Sequence, residues 1–597
     1  MGHISNFNCF LNLHKDQLLA SGVPEHFWNT LHQKLVNQIF DAGEVLQILK
    51  VNSENREEHE PIWILQALSY IDEQDPRHIY LTDHAWTFRP DEIEWRLSQN
   101  SGLRQRLKKL FDLNDDLSED ELTVNISKNI WKFANHYSIA NAEDIEEQLP
   151  IWYIMDEVGS AVAHSDSPNC RMVPFFYMND EITYSLLFPI ESIEEEDFLT
   201  RDYAEGITDP SRRPAILLHW TPTDFEDTSL TPDLPGPAYF LQGHVEESMP
   251  VVSEKVTTKK DVYKVYTEYE MVRQYLTDNR FTLVDTEQDA DILWYTQHFK
   301  DFEGLSKNSP EKFVNQFPFE YVITVKDLLC ITCRRNQDSM QWLPTSYNLI
   351  TEIANFVAYY QHRQKGDLEN YWIVKPYNLA RGLDIHITDN LSHILKLSLT
   401  GPKIAQKYIS NPVLFYRPEC NGKVKFDIRY VLLLKSVEPP DAYVYKKFFL
   451  RFANKPFEMK DFNDYQKHFT VMNYNAHANL LHLKCDDFLV EWSKQYPEHE
   501  WKFIEVKIIA MLKDILVSAT SVDPPCGFGK SPQSRALYAA DIMLEIDEKG
   551  GFVPRILEIN FTPDCQRACT YYKDFYNDIF NLLFLDCTSD AFLSLNN

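Results

Sequence analysis

The sequence predicts an α+β protein of more than one domain, and three observations lead there. At 597 residues the chain is too long for one ordinary core. A hydrophobic content of 44% with 13% aromatics is that of a chain that packs. In the second half, short apolar runs of strand character alternate with segments of helical periodicity.

Along the chain, 1–240 forms the first domain, closed by a proline-rich stretch over 221–237. Residues 241–260 are polar, charged and punctuated by Pro250, and read as a linker. The second domain, 261–597, has strand-like runs at 291–294, 371–374 and 426–434. Over 503–517, Phe503, Ile504, Ile508, Met511, Leu512 and Ile515 recur as one face of an amphipathic helix.

Charge and cysteine usage narrow the function classes. With 89 acids against 58 Lys and Arg, the formal net charge of -31 argues against general nucleic-acid or anionic-membrane binding. No apolar run approaches a membrane span, the N-terminus lacks the order of a signal peptide, and Asn6 breaks the myristoylation pattern at Gly2. A soluble intracellular protein is expected. Ten scattered cysteines predict reduced thiols, with no metal assigned to them.

The chemistry-bearing residues concentrate after position 370. Glu558 and Asn560 stand two apart on an apolar strand and share a face, with Leu557, Ile559 and Phe561 expected to pack behind. Asp541, on a preceding apolar segment, can lie alongside. Two carboxylates and an amide suit magnesium, which takes hard oxygen ligands; a strand with a solvated outer face is the alternative. Lys375 ends an apolar strand and is followed by Arg381 and Gly382, an arrangement that aims cations and backbone amides at a phosphate or leaves a snorkelling lysine. Lys425, Asp427 and Arg429 alternate on a third strand, and Arg451 repeats the pattern. Charges on an apolar strand face need partners or a charged ligand. Gly529-Lys530-Ser531 imitates the end of a phosphate-binding loop, but Pro524 occupies the place of its first glycine.

Taken in order, 290–294, 317–327, 343–349, 372–376, 406–409, 425–429, 451–453, Asp541 and 557–563 resemble the motifs of the tubulin-tyrosine ligase-like family. The resemblance implies an ATP-grasp α/β domain that joins an amino acid to a carboxylate of a tubulin tail. It implies that Lys375, Arg381 and Gly382 meet ATP phosphates, and that Gln406, Lys407, Tyr408 and Ile409 form the adenine hinge. Lys425 and Asp427 would lie by the ribose and phosphates, Arg429 and Arg451 would neutralise the γ-phosphate, and Asp541, Glu558 and Asn560 would hold magnesium. Two departures stand out: Asp384 replaces a glycine and is expected to bring a carboxylate to the triphosphate, and the family's His-Leu-Thr-Asn motif reads His468-Phe469-Thr470-Val471-Met472-Asn473-Tyr474, its asparagine either lost to Val471 or displaced two residues to Asn473.

In the first half, 163–169 and 196–203 resemble the closing motifs of a SET domain, and 40–44 resembles its early strand. Tyr203 matches the catalytic tyrosine of that family, while Ala163 stands for its asparagine. The expectation is a degenerate, β-rich SET-like domain that binds a histone or other protein. For the whole chain it is an ATP- and magnesium-binding regulator of tubulin-tail modification, cytoplasmic, associated with microtubules and also nuclear. The alternatives are an active amino-acid ligase and a protein-lysine methyltransferase. Tubulin tails are acidic, so a local basic surface is expected, drawing on Arg334, Arg335, Lys446 and Lys447.

Overall fold

The computed structural model describes residues 7–52, 56–57, 59–139, 144–242, 246–251, 260–377, 382–470 and 483–596. Two compact units emerge: Met1–Leu230 with Leu349–Leu368 and Asp389–Gly401, and Thr231–Asn348 with Glu369–Thr388 and Pro402–Asn597. No helix among the described residues is long and apolar enough to cross a membrane. All ten cysteines are free.

In the first unit, helices Phe7–Ala20 and Trp28–Asn37 pack on an antiparallel sheet of Tyr80–Thr82, Ile182–Pro189 and Cys170–Tyr177. Phe10, Leu31, Phe175 and Phe188 sit at the centre of this core. Helix Glu119–Phe133 opens on a capping box, in which the Ser118 side chain and Glu121 satisfy each other's backbone amides. Its buried stripe is Leu122, Ile126 and Ile130. Helix Leu391–Leu397 belongs to this unit for a local reason: His393 stacks on Trp131 at 3.6 Å, and Asn390 donates to the Lys128 carbonyl.

Residues 40–44 are not the strand expected of them. Ala42–Glu44 is a single 3₁₀ turn, and the strand begins at Leu46. The buried Lys34 ammonium fixes that turn by donating to Asp41 and to the carbonyls of Arg77 and Ile79.

In the second unit, a parallel sheet runs Phe281–Val284, Tyr263–Thr267, Ile292–Trp294, Phe313–Val314. An antiparallel sheet places β1 (Trp372–Pro376) and β2 (Lys403–Lys407) between Ser346–Asn348 and His386–Thr388. In the largest sheet, β3 (Phe426–Val437) pairs with β4 (Phe449–Phe452) near its start and with Pro440–Tyr445 near its end. Its other edge pairs with β5 (Ala536–Ile546), which pairs in turn with β6 (Phe552–Phe561). Residues 536–544 are buried without alternation, so β5 is covered on both faces.

Helix α1 (Trp501–Thr520) covers this sheet through Trp501, Ile504, Ile508, Met511, Leu512 and Ile515. Phe503 departs from the expected stripe and is 61% exposed. The stripe set by Ile504 and Ile508 turns Phe503 outward beside Lys502 and Val506. Ile508→Ala is therefore expected to lower stability by about 2–5 kcal/mol, the range for emptying a core site. Phe503→Ala should stay within about 0.5 kcal/mol, as surface changes do. Urea denaturation of the two variants measures both.

Candidate functional site

The register of the large sheet sets five charged side chains against one another. Arg451 on β4 lies opposite Asp427 on β3, Arg429 on β3 opposite Asp541 on β5, and Asp541 opposite Glu558 on β6. Arg429 donates from Nε and Nη2 to the two oxygens of Asp541 at 2.7 and 2.8 Å. Arg451 bridges both acids, with Nε 2.7 Å from Asp427 Oδ1 and Nη2 2.7 Å from Asp541 Oδ2. Burial alone would raise the Asp541 carboxyl, but the charges of Arg451 and Arg429 outweigh it and hold the group well below the usual carboxylate range. Asp427 is raised by burial, which Arg451 only partly offsets.

These residues line a cleft of about 510 Å³. Lys375 at the end of β1 is buried there and donates to Gln406 Oε1 at 3.0 Å; burial pushes its pKa down to about 8. Gln406 donates in turn to Ser346. Lys425 is buried against Tyr408, its ammonium 4.2 Å from the ring centre and 2.9 Å from the hydroxyl, and burial pushes it down to about 7. The Tyr408 hydroxyl meets His468 Nδ1 at 2.9 Å, and His468 Nε2 reaches the Lys460 carbonyl. Burial lowers the His468 pKa, favouring the neutral ring, so the chain of donors runs Lys425, Tyr408, His468, Lys460 carbonyl. Ile373, Ile385 and Met543 supply apolar wall, and Lys407 and Ile409 complete the β2 end of the cleft.

Asp541, Glu558 and Asn560 come together as a set. The Asn560 amide nitrogen is 3.2 Å from Glu558 Oε1 and 3.4 Å from Asp541 Oδ2. Rotating that amide turns its oxygen to the same space, giving two carboxylates and a carbonyl, a hard-oxygen donor set that suits magnesium completed by waters or phosphate. The neighbours of this set were misjudged from sequence: Leu557 and Phe561 line the cleft instead of packing behind. The pairing shifts between Asp541 and Ile542, so Leu557 is an extra residue on β6 and strict alternation fails there. Ile559 alone of the three is buried behind the site.

Asp384 also departs from expectation. Its carboxylate lies 2.8 Å from Lys403 and 2.9 Å from His386, and it is absent from the cleft lining formed by Gly382, Leu383 and Ile385. The backbone explains the position: Asp384 has φ 54 and Gly382 has φ 73, left-handed values that glycine adopts freely and aspartate tolerates. At Gly382 an added Cβ would meet open space, so conformation and not crowding favours glycine. Arg381, Val471 and the rest of 471–482 lie outside the described residues.

Lys326 lines the same cleft, 3.4 Å from Glu558 Oε2, and sequence reasoning passed over it. A signal existed: Lys326 opens helix Lys326–Arg334, where the positive end of the helix dipole disfavours a cation unless an acid faces it. Thr470, whose hydroxyl donates to Asp427, had no signal beyond its motif.

Two family models match the chain, the tubulin-tyrosine ligase family over 305–594 and the tubulin tyrosine ligase SET-like domain over 50–224. Human tubulin--tyrosine ligase-like protein 12 is 41% identical over 605 residues, which cover 97% of this chain and 94% of the relative. The chain belongs to the tubulin-tyrosine ligase family. A Caenorhabditis elegans protein of the same name is 33% identical over 97% of both chains. Mouse tubulin polyglutamylase TTLL5 is 27% identical over 50% of this chain and 23% of its own length. The architecture is accordingly α+β and multidomain, a SET-like domain followed by a ligase-family domain of the ATP-grasp fold.

In the SET-like part of this family member, the two closing motifs form adjacent parallel strands, Ala163–His164 and Thr200–Arg201. The Tyr203 amide donates to His164 Nδ1, and its hydroxyl donates to the Val162 carbonyl at 2.7 Å. The expected basic surface needs correction in two of its four members. Arg335 is half-buried and donates to the carbonyls of Ser518 and Cys526, and Lys447 pairs with Asp486.

Removing the Asp541 carboxylate leaves the Arg429 guanidinium without its acid and Arg451 with Asp427 alone. Asp541→Ala is expected to cost about 3–5 kcal/mol, the usual penalty for leaving buried charge uncompensated, and chemical denaturation measures it.

Proposed function

We propose that the second unit binds ATP with magnesium and that the chain acts on the modification of tubulin C-terminal tails as a ligase-like regulator. One observation carries the nucleotide reading: Lys326, Lys375, Lys425, Arg429 and Arg451 converge on a cleft that also has an apolar wall and a paired set of oxygen donors. Apart from the two arginines, these cations are lysines buried or half-buried against rings, amides and one acid, which suits a polyphosphate better than a neutral ligand.

In this reading, Lys375 and Lys425 bind phosphate oxygens. Arg429 and Arg451 exchange part of their contact with Asp541 for the terminal phosphoryl group. Asp541, Glu558 and Asn560 would hold magnesium, whose charge supplies neutralisation at the transferring phosphoryl group. Tubulin as the object rests on the names of the relatives. Such a role puts the chain beside microtubules in the cytoplasm.

A second reading, active ligation, is favoured by one specific observation: Asp384 points at Lys403 and His386, so it does not repel the triphosphate. The altered amino-acid motif, with its asparagine lost to Val471 or displaced to Asn473, favours regulation. Incubation of the purified chain with tubulin, ATP-magnesium and labelled tyrosine, glutamate or glycine separates the two. No label is expected; label that Glu558→Gln abolishes would establish ligation instead.

Nucleotide affinity should depend on pH in a defined direction. Lys375 and Lys425 release their protons near 8 and 7, well below the ordinary lysine value of 10.5. A lysine holds phosphate only while protonated, below its pKa. The dissociation constant for ATP-magnesium, read by calorimetry, is expected to rise by at least about tenfold between pH 7 and 9.

A further inference from the structure

A cavity of about 200 Å³ lies within the first unit, beside Tyr203. Arg201 and Lys396 contribute charge to its wall, and Trp63, Trp220 and Tyr203 contribute rings. The Arg201 guanidinium stands 4.7 Å over the Tyr203 ring, and its Nη2 donates to Asn135 at 3.3 Å. Its Nε is buried and has no hydrogen-bond partner among the described residues. The Lys396 ammonium stands 5.2 Å over the Trp220 ring, and no carboxylate among the described residues pairs with it. Burial, then the nearby charge of Arg201, push Lys396 down to about 7.

The remaining ionisable wall groups do not neutralise this pair. Lys132 adds a third cation, and His59 lines the wall too. His164 has its pKa lowered by burial, and its Nε2 makes no hydrogen bond. Asp166 and Asp202, the acids next to His164, are both held by Arg213 and lie outside the lining. Glu60 is on the lining but exposed, and its carboxylate accepts from the Glu57 amide.

Sequestered cations normally face an acid or a ligand that supplies one. Aromatic faces compensate a cation only in part. An oxyanion between Arg201 and Lys396 would relieve their mutual repulsion and occupy the open Nε donor. A lysine side chain would add a further positive charge to the same wall. The Tyr203 hydroxyl is already committed to the Val162 carbonyl, so the tyrosine contributes its ring to the wall.

We propose that this cavity binds the carboxylate or phosphate group of a small molecule, gripped by Arg201 and Lys396, and that it rejects a lysine side chain. Glutarate and inorganic phosphate represent the two sources of the oxyanion, and n-butylammonium represents lysine.

The deciding measurement is reductive methylation of the whole chain followed by mass spectrometry, with each probe added at constant ionic strength and the rate at Lys396 read relative to the chain's exposed lysines, because butylammonium itself consumes formaldehyde. At about ten times its dissociation constant, glutarate or phosphate is expected to slow methylation of Lys396 about tenfold. Butylammonium should leave the rate unchanged. Protection by one anion alone identifies the source.

Thermal unfolding gives a second readout. The protecting anion should raise the melting temperature by about 2–4 °C, and Arg201→Gln and Lys396→Gln should lose that rise. Lys375→Gln, altered in the other cleft, should keep it. Methylation of Lys396 that neither anion slows, or that butylammonium slows, overturns the proposal, and so does a rise that survives in both first-unit variants. The methylation arm uses the unmodified chain, so poor folding of a variant does not remove the test.

Discussion

The second unit depends on one electrostatic constraint, the sharing of Asp541 between Arg429 and Arg451. Three strands supply these side chains: Arg429 meets Asp541 as its register partner across β3 and β5, and Arg451, whose register partner is Asp427, reaches Asp541 from β4 with its second nitrogen. Asp541 is 1% exposed, in a strand covered on both faces, so its charge is stable only because two guanidinium groups neutralise it. A one-residue slip of β5 against β3 would turn Asp541 to the opposite face and strand both arginines. The row therefore fixes the register of the sheet and also stores cations where a polyphosphate can use them. A binding site made this way is preorganised, because its charges are already desolvated and oriented before any ligand arrives.

The loop after β1 illustrates how one residue can be judged correctly by type and wrongly by direction. An aspartate at a position where the family resemblance implies glycine suggests an intruding charge. The backbone at Asp384 is left-handed, which accounts for glycine at that position without any demand for space. Once aspartate adopts that conformation, its side chain turns to Lys403, which is 1% exposed and gains a counter-charge. The substitution thus reads as an ion pair within the loop and its neighbouring strand.

Much of the site was legible because it follows the simplest rule of strands, that residues two apart share a face. Lys425, Asp427 and Arg429 obey it, as do Glu558 and Asn560, and all five reach the cleft. The rule failed at Leu557 because the extra residue in β6 is a property of pairing with β5, invisible in either strand alone, and at Phe561 because β6 ends there with that side chain exposed. It failed for 40–44 because a distant lysine, Lys34, holds that segment in a turn. The ion pairs themselves could not be read, since nothing local says which strands become neighbours. Nor does a reading along the chain place helix Leu391–Leu397 in the first unit, where an aromatic stack on Trp131 holds it.

The two cavities apply the same physics with opposite completeness. In the second unit the guanidinium groups have their acids, so a ligand must compete for them, and exchange of partners is part of binding. In the first, Arg201 and Lys396 face rings and an amide, with no acid paired to either among the described residues. A chain carrying a net charge of -31 has many acids to place, and 89 of its residues are Asp or Glu. Leaving two sequestered cations without one is therefore informative in a way it would not be in a basic protein. The long-range field of such a chain opposes the approach of anions, so selectivity in either cavity must come from short-range geometry: a guanidinium fork, a fixed ammonium and the rings that keep water from them.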